Sequence, residues 1–366
     1  MYDYIRHDIF YIMLYAASTT IALLAGCYLL FRRANAFAAD VTPPLRLRRW
    51  TAAYFLVFVV LHLWYVQILF HISAEAIIMT DLVGGLIDSL TLFPITVVVM
   101  LAMLQDRRRP LWPVAVIMLP IVIGNVVCVV RRDYLYQPLL YVYLVLMCLG
   151  LIIYMVRALR QYGRWLRDNY ADLEHKELWR SFVVLVIVLL VFGTYSCVLI
   201  GPVYQYAMQI ISVVLICFLL WRVETLSDLS LSVAETDTTE AEDEKDYGPS
   251  QSTLESIGTL LQQYCIDTQL YLQNDLTLHQ LAKAIGTNRF YLSQYFSSQG
   301  LTYNAYINDL RITHFVSLYQ EAVDSQRSFT VQKLAQESGF RNYNTFSSAF
   351  KRKTGLSVAA WMKSNQ

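Results

Sequence analysis

Charged residues are scarce in this 366-residue chain, at 16% of the sequence, whereas hydrophobic residues make up 56%. A soluble globular protein typically carries about 25% charged residues, so the deficit argues against a chain that is soluble over its whole length. The net charge of +1 hides an uneven distribution. Residues 1–222 hold 18 Lys or Arg against 12 acids, residues 223–252 hold nine acids against one Lys, and residues 253–366 hold ten Lys or Arg against seven acids. These ranges define an apolar, an acidic and a mildly basic region.

The sequence also lacks the patterns that catalytic and metal sites require. None of its six cysteines forms a CxxC motif or a Cys/His ligand spacing, so neither a zinc site nor a disulfide framework is predicted. We interpret the cysteines as small apolar packing residues. No serine–histidine pair, metal-ligand spacing or phosphate-binding loop is present either. We therefore predict that the chain is not an enzyme and uses no metal or cofactor.

Long apolar runs fill the first region. Seven of them are long enough to cross a bilayer, which needs about 20 residues per helix. The first is longer than a usual signal-peptide core and is followed by Arg32-Arg33, so we interpret it as a span and not as a cleaved signal. The sequence therefore predicts a seven-span membrane domain over residues 1–222, in contact with the lipid bilayer. The spans lie near residues 8–31, 50–71, 82–104, 111–130, 135–156, 181–200 and 203–221.

Basic residues are concentrated in the first, third and fifth loops between these spans. The second loop has no Lys or Arg, and the sixth is a tight turn at Gly201-Pro202. Because cytoplasmic loops carry an excess of Lys and Arg, the odd loops are predicted to be cytoplasmic. Seven spans then place the N-terminus outside and everything after Trp221 inside. The basic residues of the odd loops are Arg32, Arg33, Arg46, Arg48, Arg49, Arg107, Arg108, Arg109, Arg157, Arg160, Arg164, Arg167, Lys176 and Arg180.

Several polar side chains fall inside the predicted spans and are candidates for function, because such residues are rare in membranes. His62, His71 and Asp88 are the candidate sensing residues, and His71 and Asp88 lie toward the outer side, where a ligand or a proton would arrive. The alternative is that these polar residues are interhelical hydrogen-bond partners that hold the bundle together. The further members of the group are Gln67, Glu75, Asp81, Asn125, Gln205 and Gln209.

The fifth loop, residues 157–180, has helical character, with Tyr162, Trp165 and Leu166 on one face among basic residues. One interpretation is a helix that lies on anionic lipid. The other is a docking surface for the C-terminal domain. Residues 223–252 follow the last span and are polar and acidic, which predicts a flexible linker.

Helix signals return at Ser252, which forms a predicted capping box with Glu255. A second capping box, Thr277 with Gln280, opens a short helix that ends at Gly286. Asn288 then caps another helix, and together the two predict a helix-turn-helix unit over residues 277–298.

A long helix is predicted over residues 302–323, and a second helix-turn-helix unit follows over residues 330–354. Thr330 and Asn342 cap its two helices, and Gly339 occupies the turn. Ser357 caps a short closing helix. The complete chain is therefore predicted to be all-α.

Residues 253–363 resemble the DNA-binding domain of the AraC/XylS family of bacterial transcription regulators. That resemblance implies an all-helical domain whose two recognition helices enter successive major-groove segments on one face of double-stranded DNA. The matching residues are Leu281-Ala282, Gly286, Leu292 and Phe296 in the first unit, Arg311-Ile312 in the long helix, and Leu334-Ala335, Gly339-Phe340, Phe346, Phe350-Lys351 and Gly355 in the second. The resemblance does not extend to residues 1–222.

The resemblance also implies which positions face the bases. Arg is common in the family at position 348 and frequent at 294, where this chain has Ser348 and Gln294. We therefore expect Gln294 and Asn344 to favour adenine. The positions that match the family's base contacts are Phe290, Ser293, Gln294, Tyr343, Asn344, Thr345, Ser347 and Ser348. The expected phosphate contacts are Arg289, Arg341, Lys351, Arg352 and Lys353.

The leading hypothesis is a one-component sensor and transcription regulator in the bacterial cytoplasmic membrane. A stimulus or small ligand of unknown identity would change the availability, orientation or homodimerisation of the DNA-binding domain. One alternative is a membrane transporter or intramembrane enzyme that carries the helical domain as a regulatory appendage. Another is a membrane scaffold whose helical domain binds protein.

Overall fold

The computed structural model describes residues 7–32, 35–37, 41–70, 73–187, 202–229 and 251–364. Over these ranges the chain is helical, and its only β-type pairing is an isolated bridge between Tyr170 and Thr277. The predicted all-α fold is therefore confirmed. The chain divides into two compact units. The first comprises residues 1–160 with 178–230, and the second comprises residues 161–177 with 231–366.

The first unit is built from long apolar helices. Six helical stretches within the described residues are long and apolar enough to cross a membrane, and they begin at Ile9, Leu45, Ala74, Trp112, Gln137 and Gln205. The helices are α1 (Ile9–Phe31), α2 (Leu45–Tyr65), α3 (Ala74–Leu90), α4 (Leu92–Met103), α5 (Trp112–Arg131), α6 (Gln137–Asn169) and α7 (Pro202–Thr225). The last residues of α6, 161–169, belong to the second unit.

Two of the predicted spans differ in extent from the helices. The third extends over α3 and α4, which are separated by a break at Thr91. The fifth was expected to end near residue 156, but α6 runs for 33 residues to Asn169, and residues 157–169 contain no proline that would interrupt the helix. Most of the predicted sixth span lies outside the described residues. Its beginning, residues 181–187, is helical.

The first residues of the predicted acidic linker are packed into the first unit. Helix α7 continues through Thr225, and Glu224 is completely buried, with its carboxylate 3.6 Å from the guanidinium of Arg48. Beyond the helix, the backbone of Ser227 and Leu229 is hydrogen-bonded to the side-chain amide of Gln105. Residues 223–229 are therefore a structured extension of the last span.

The second unit contains the two helix pairs that the sequence predicts. Its helices are α8 (Gln251–Leu261), α9 (Leu278–Ala284), α10 (Arg289–Ser298), α11 (Tyr303–Asp324), α12 (Val331–Glu337), α13 (Tyr343–Thr354) and α14 (Val358–Ser364). Helix α8 begins at Gln251, so the backbone of Ser252 lies inside the helix and not at the expected N-cap position.

Two hydrophobic cores lie in this unit, one for each helix pair. The first packs α8, α9 and α10 against the beginning of α11, around Leu281, Leu292 and Phe296. The second packs α12, α13 and α14 against the rest of α11, around Phe315 and Phe346. Helix α11 therefore contributes to both cores and joins the two pairs.

Candidate nucleic-acid interface

Local sequence determines the geometry of the first helix pair. The Thr277 side chain accepts a hydrogen bond from Gln280 N at 3.2 Å, and the Gln280 side chain accepts one from Thr277 N at 3.0 Å, which completes the predicted capping box. The turn passes through Gly286, whose φ of +74° is in the left-handed region that favours glycine. Asn288 then caps α10 by accepting a hydrogen bond from Tyr291 N at 2.8 Å. The predicted caps are confirmed, so α9 and α10 form a helix-turn-helix.

The second helix pair follows the same scheme. Thr330 caps α12 and Asn342 caps α13 through their side chains, and Gly355 ends α13 with a φ of +75°. Gly339 in the turn has a φ of +86°, and a Cβ at this position would lie 2.8 Å from the backbone of Leu272. Gly339 is therefore required both by its backbone conformation and by close packing.

The predicted base contacts lie on the outward faces of α10 and α13. On α10, Leu292 and Phe296 are buried while Phe290 and Gln294 are exposed. On α13, Phe346, Ala349 and Phe350 are buried. The exposed predicted contacts on α13 are Tyr343, Asn344 and Ser348, and the partly buried ones on the two helices are Ser293, Thr345 and Ser347. The outward faces are therefore mainly polar and uncharged, as the sequence indicates.

Several of the predicted phosphate contacts make hydrogen bonds within the second unit. Arg289 Nε donates to Asn169 Oδ1 at 2.9 Å, and Arg341 Nη1 lies 3.0 Å from the Asp275 carboxylate. Arg352 Nη2 donates to Asn304 Oδ1 at 3.3 Å, and Lys353 Nζ donates to Asp309 O at 2.7 Å. Lys351 is exposed on the last turn of α13. Arg289, Arg341 and Arg352 are therefore each paired with another residue of the second unit.

The second unit contains part of the fifth loop, for which docking to the C-terminal domain was one of two interpretations of the sequence. Residues 161–177 of the fifth loop pack with the C-terminal helices. Asp172 in this segment lies 3.3 Å from the guanidinium of Arg311 on α11, and both side chains are buried. These contacts favour the second of the two interpretations of the loop, which is docking to the C-terminal domain.

Two of the candidate sensing residues, His62 and Asp88, are described and lie in the first unit. His62 Nε2 is 3.3 Å from Gln209 Oε1, which also accepts a hydrogen bond from Ser18 at 2.6 Å. Asp88 accepts a hydrogen bond from the Tyr65 hydroxyl at 2.8 Å. His71 lies outside the described residues. The first network connects α1, α2 and α7, which agrees with the alternative that these groups hold the helices together.

A protein-family model matches part of the C-terminal region. Residues 281–364 match the model of a helix-turn-helix domain of the AraC type. No curated protein and no solved structure matches the chain. The matched region contains α10 and α13 with their outward faces, so the C-terminal part of the chain is the DNA-binding domain of a transcription regulator and binds double-stranded DNA.

Proposed function

We propose that the chain is a membrane-embedded one-component sensor and transcription regulator. The observation that carries the proposal is the combination of two parts in one chain. Six helical stretches of membrane-spanning length begin in the first unit, and a match to an AraC-type helix-turn-helix domain lies in the second. A stimulus received by the first part would change DNA binding by the second, with no separate messenger protein.

The two recognition helices are proposed to read bases through short polar side chains. Gln294 on α10 and Asn344 on α13 are exposed, and both amides suit adenine, which presents a donor and an acceptor side by side in the major groove. Lys351, Arg352 and Lys353 follow at the end of α13 and supply charge for phosphates. Specificity would therefore come from the amides, while salt-dependent affinity would come from the basic residues.

The experiment selects duplexes from a random DNA library with the full-length chain in lipid nanodiscs. Asn344→Ala is expected to change the selected sequence, because it removes a bidentate contact that is worth about 1–3 kcal/mol of discrimination. Arg352→Ala is expected to weaken binding to all duplexes alike and to reduce the salt dependence. Lys363→Ala, which removes an exposed charge on α14, is the matched control and should change neither property. If the wild-type chain binds no duplex with sequence preference and salt dependence, the proposal is wrong.

The stimulus is proposed to act through the polar side chains of the first unit. The shared acceptor Gln209 ties α7 to His62 on α2 and to Ser18 on α1, so a shift of one helix changes the hydrogen bonds of the other two. His62→Ala and Gln209→Ala are expected to shift the resting DNA affinity in the same direction. Thr20→Ala on the exposed side of α1 is the control. If both variants express normally and bind DNA like the wild type, the network serves only to hold the bundle together.

A further inference from the structure

A short stretch of the fifth loop folds together with the C-terminal helices. We call residues 169–176 the loop segment. It begins at Asn169, where α6 ends, and the sixth and seventh predicted spans and the predicted linker separate it from α8 in sequence. All of its residues nevertheless belong to the second unit. A DNA-binding domain that began at residue 253, as the sequence predicts, would lack this stretch.

The backbone of the loop segment pairs with the residues that open the first helix-turn-helix unit. Tyr170 forms an antiparallel bridge with Thr277, the residue that caps α9, and Ala171 N donates to Leu276 O at 3.3 Å. Ala171 is completely buried and belongs to the same hydrophobic core as Leu281. The loop segment therefore supplies both backbone pairing and apolar packing to this unit.

Two buried amides of α11 have their partners in the same stretch. Asn304 Nδ2 donates to Tyr170 O at 3.2 Å, and Asn308 Nδ2 donates to Ala171 O at 3.3 Å. Both asparagine side chains are buried. A buried donor that loses its acceptor is not compensated by water, so its desolvation remains as a cost. The interior of the domain therefore carries two donors that are matched to carbonyl oxygens of the loop segment.

A buried charge of α11 is matched to the loop segment as well. Arg311 is completely buried, and its guanidinium lies 3.3 Å from the carboxylate of Asp172, which is also buried. The other two nitrogens of the guanidinium donate to the uncharged carbonyl oxygens of Tyr271 and Gln273. Since removal of one partner from a buried ion pair is strongly destabilising, the domain depends on a carboxylate from the loop between the fifth and sixth predicted spans.

These three side chains lie on one face of the helix that joins the two helix pairs. Asn304, Asn308 and Arg311 are spaced by four and then three residues, which places them on the same side of α11. A buried polar face is stable only where matching polar groups cover it. The loop segment supplies such groups, so α11 is completed by a stretch of chain that precedes the linker.

The loop segment is also fixed to the end of α6. The hydroxyl of Tyr162 on α6 donates to Lys176 O at 3.1 Å, and Lys176 Nζ donates to Asp172 O at 3.0 Å. All of these residues lie in the second unit. Helix α6 therefore leads directly into the domain. The other connection, residues 230–250, has a polar and acidic sequence that predicts a flexible linker.

We propose that the DNA-binding domain is discontinuous in sequence and that the loop segment is one of its structural elements. The domain is then joined to the membrane part by two connections, α6 and the linker. When the linker is cut, the C-terminal helices remain bound to the loop segment, so the domain stays with the membrane part and keeps its DNA affinity. This inference rests on the proposed membrane and DNA-binding functions and adds how the two parts are joined.

The double connection restricts how a stimulus can act. Proteolysis within the linker does not free the domain, because the buried contacts of α11 hold it to the loop segment. Activation by proteolytic release of residues 251–366 is therefore excluded by the proposal. A stimulus reaches the domain through α6, a single helix from Gln137 to Asn169 that includes the fifth predicted span.

The test cuts the linker of the full-length chain in lipid nanodiscs. A recognition sequence for a site-specific protease is inserted after Glu240, and the products are separated by size under native conditions. We expect the C-terminal fragment to elute with the nanodiscs, and the cut protein to bind a random-sequence duplex with the affinity and salt dependence of the uncut protein. A C-terminal fragment that leaves the nanodiscs after the cut, folded or unfolded, contradicts the proposal.

Ala171→Arg shows whether the loop segment is what retains the fragment. A large charged side chain does not fit at this completely buried position, so we expect the fragment to leave the nanodiscs after the cut. Gln161→Arg introduces the same side chain at an exposed position of α6 and should leave retention unchanged. If the Ala171→Arg fragment elutes with the nanodiscs as the wild type does, a different contact retains it and the proposal is wrong.

Asp172→Asn provides a milder change if Ala171→Arg prevents the domain from folding. It keeps the size of the side chain and removes the charge that faces Arg311, so release of the cut fragment should need less urea than in the wild type. Asp309→Asn removes an exposed carboxylate of α11 and is the matched control, with release at the wild-type urea concentration. Equal urea midpoints for the wild type and Asp172→Asn would count against the proposal.

The two proposals fail in different ways. If the uncut chain shows no salt-dependent DNA binding, the DNA-binding function is contradicted, while retention of the cut fragment still decides whether the domain is discontinuous. If the uncut chain binds DNA but the fragment leaves the nanodiscs after the cut, only the discontinuous domain is contradicted.

Discussion

Asp172 is a loop residue whose carboxylate faces a completely buried arginine. Loss of one partner from a buried ion pair costs about 3–5 kcal/mol, because the remaining charge is left uncompensated. We expect Asp172→Ala to lower the stability of the second unit by about this amount, measured as the urea midpoint of proteolysis of the C-terminal helices in the full-length chain. Asp309→Ala removes an exposed carboxylate 3.9 Å from Lys353 and should cost less than about 1 kcal/mol. Equal effects of the two changes would contradict the structural role of Asp172.

Gly339 and Gly286 occupy equivalent turns but have different surroundings. Both have a positive φ, which costs a residue with a side chain about 1–2 kcal/mol. A Cβ on Gly286 would meet nothing within 4 Å, whereas one on Gly339 would lie 2.8 Å from the Leu272 backbone. We therefore expect Gly339→Ala to destabilise the domain clearly more than Gly286→Ala in the same proteolysis assay. A larger effect at Gly286 would show that the second turn does not pack as described.

The core under α9 and α10 carries ionisable groups that favour their protonated forms. Burial raises the pKa of Cys265 to about 11, and burial also raises the pKa of Tyr303. The unfolded chain releases these protons at lower pH than the folded chain does, so unfolding above about pH 9 is coupled to proton release. The stability of the second unit should therefore fall as the pH rises from 9 to 11.

Cys265→Ser tests this pH dependence. Because a shift of one pKa unit corresponds to about 1.4 kcal/mol, the wild type should lose about 2 kcal/mol more than the serine variant over this range. The urea midpoint at pH 8, 9, 10 and 11 provides the measurement. Parallel losses in the two proteins would indicate that the thiol is accessible to solvent.

The helices of the second unit could be predicted because their ends are encoded locally. Thr277, Asn288, Thr330 and Asn342 each cap a helix through a hydrogen bond to a backbone N–H three residues later. Such signals need no knowledge of the remaining fold. Ser252 carries the same local pattern, but the helix begins before it, because caps specify a boundary only to within one or two residues.

The contacts that fifth-loop residues 169–176 make with α9 and α11 could not be predicted in the same way. Asp172 and Arg311 are 139 positions apart, and nothing in the sequence around either residue identifies the other. The available signals were indirect. Tyr162 and Leu166 share one face of the fifth loop, which indicates that this face packs against another surface. Arg311 lies in the middle of a long helix with buried residues, where its charge needs an acidic partner. The apolar face is equally compatible with a lipid surface, and the arginine is equally compatible with any other acidic residue.

At the scale of the whole molecule, the proposed topology depends on an odd number of spans. The loop charges predict that the N-terminus and the DNA-binding domain lie on opposite sides of the membrane. A reporter that is active only in the cytoplasm should therefore be active when fused after Gln366 and inactive when fused before Met1. Activity at both ends would mean an even number of spans and would require a different orientation for the basic loops.

The central claim is that one chain both lies in the membrane and reads DNA sequence. The most direct measurement is crosslinking of DNA to the full-length chain in living cells, followed by sequencing of the DNA recovered from the membrane fraction. The account predicts a small set of enriched sites, and it predicts that Asn344→Ala changes which sites are enriched. It is contradicted if the recovered DNA is no more enriched at any site than DNA recovered with a chain that lacks residues 251–366.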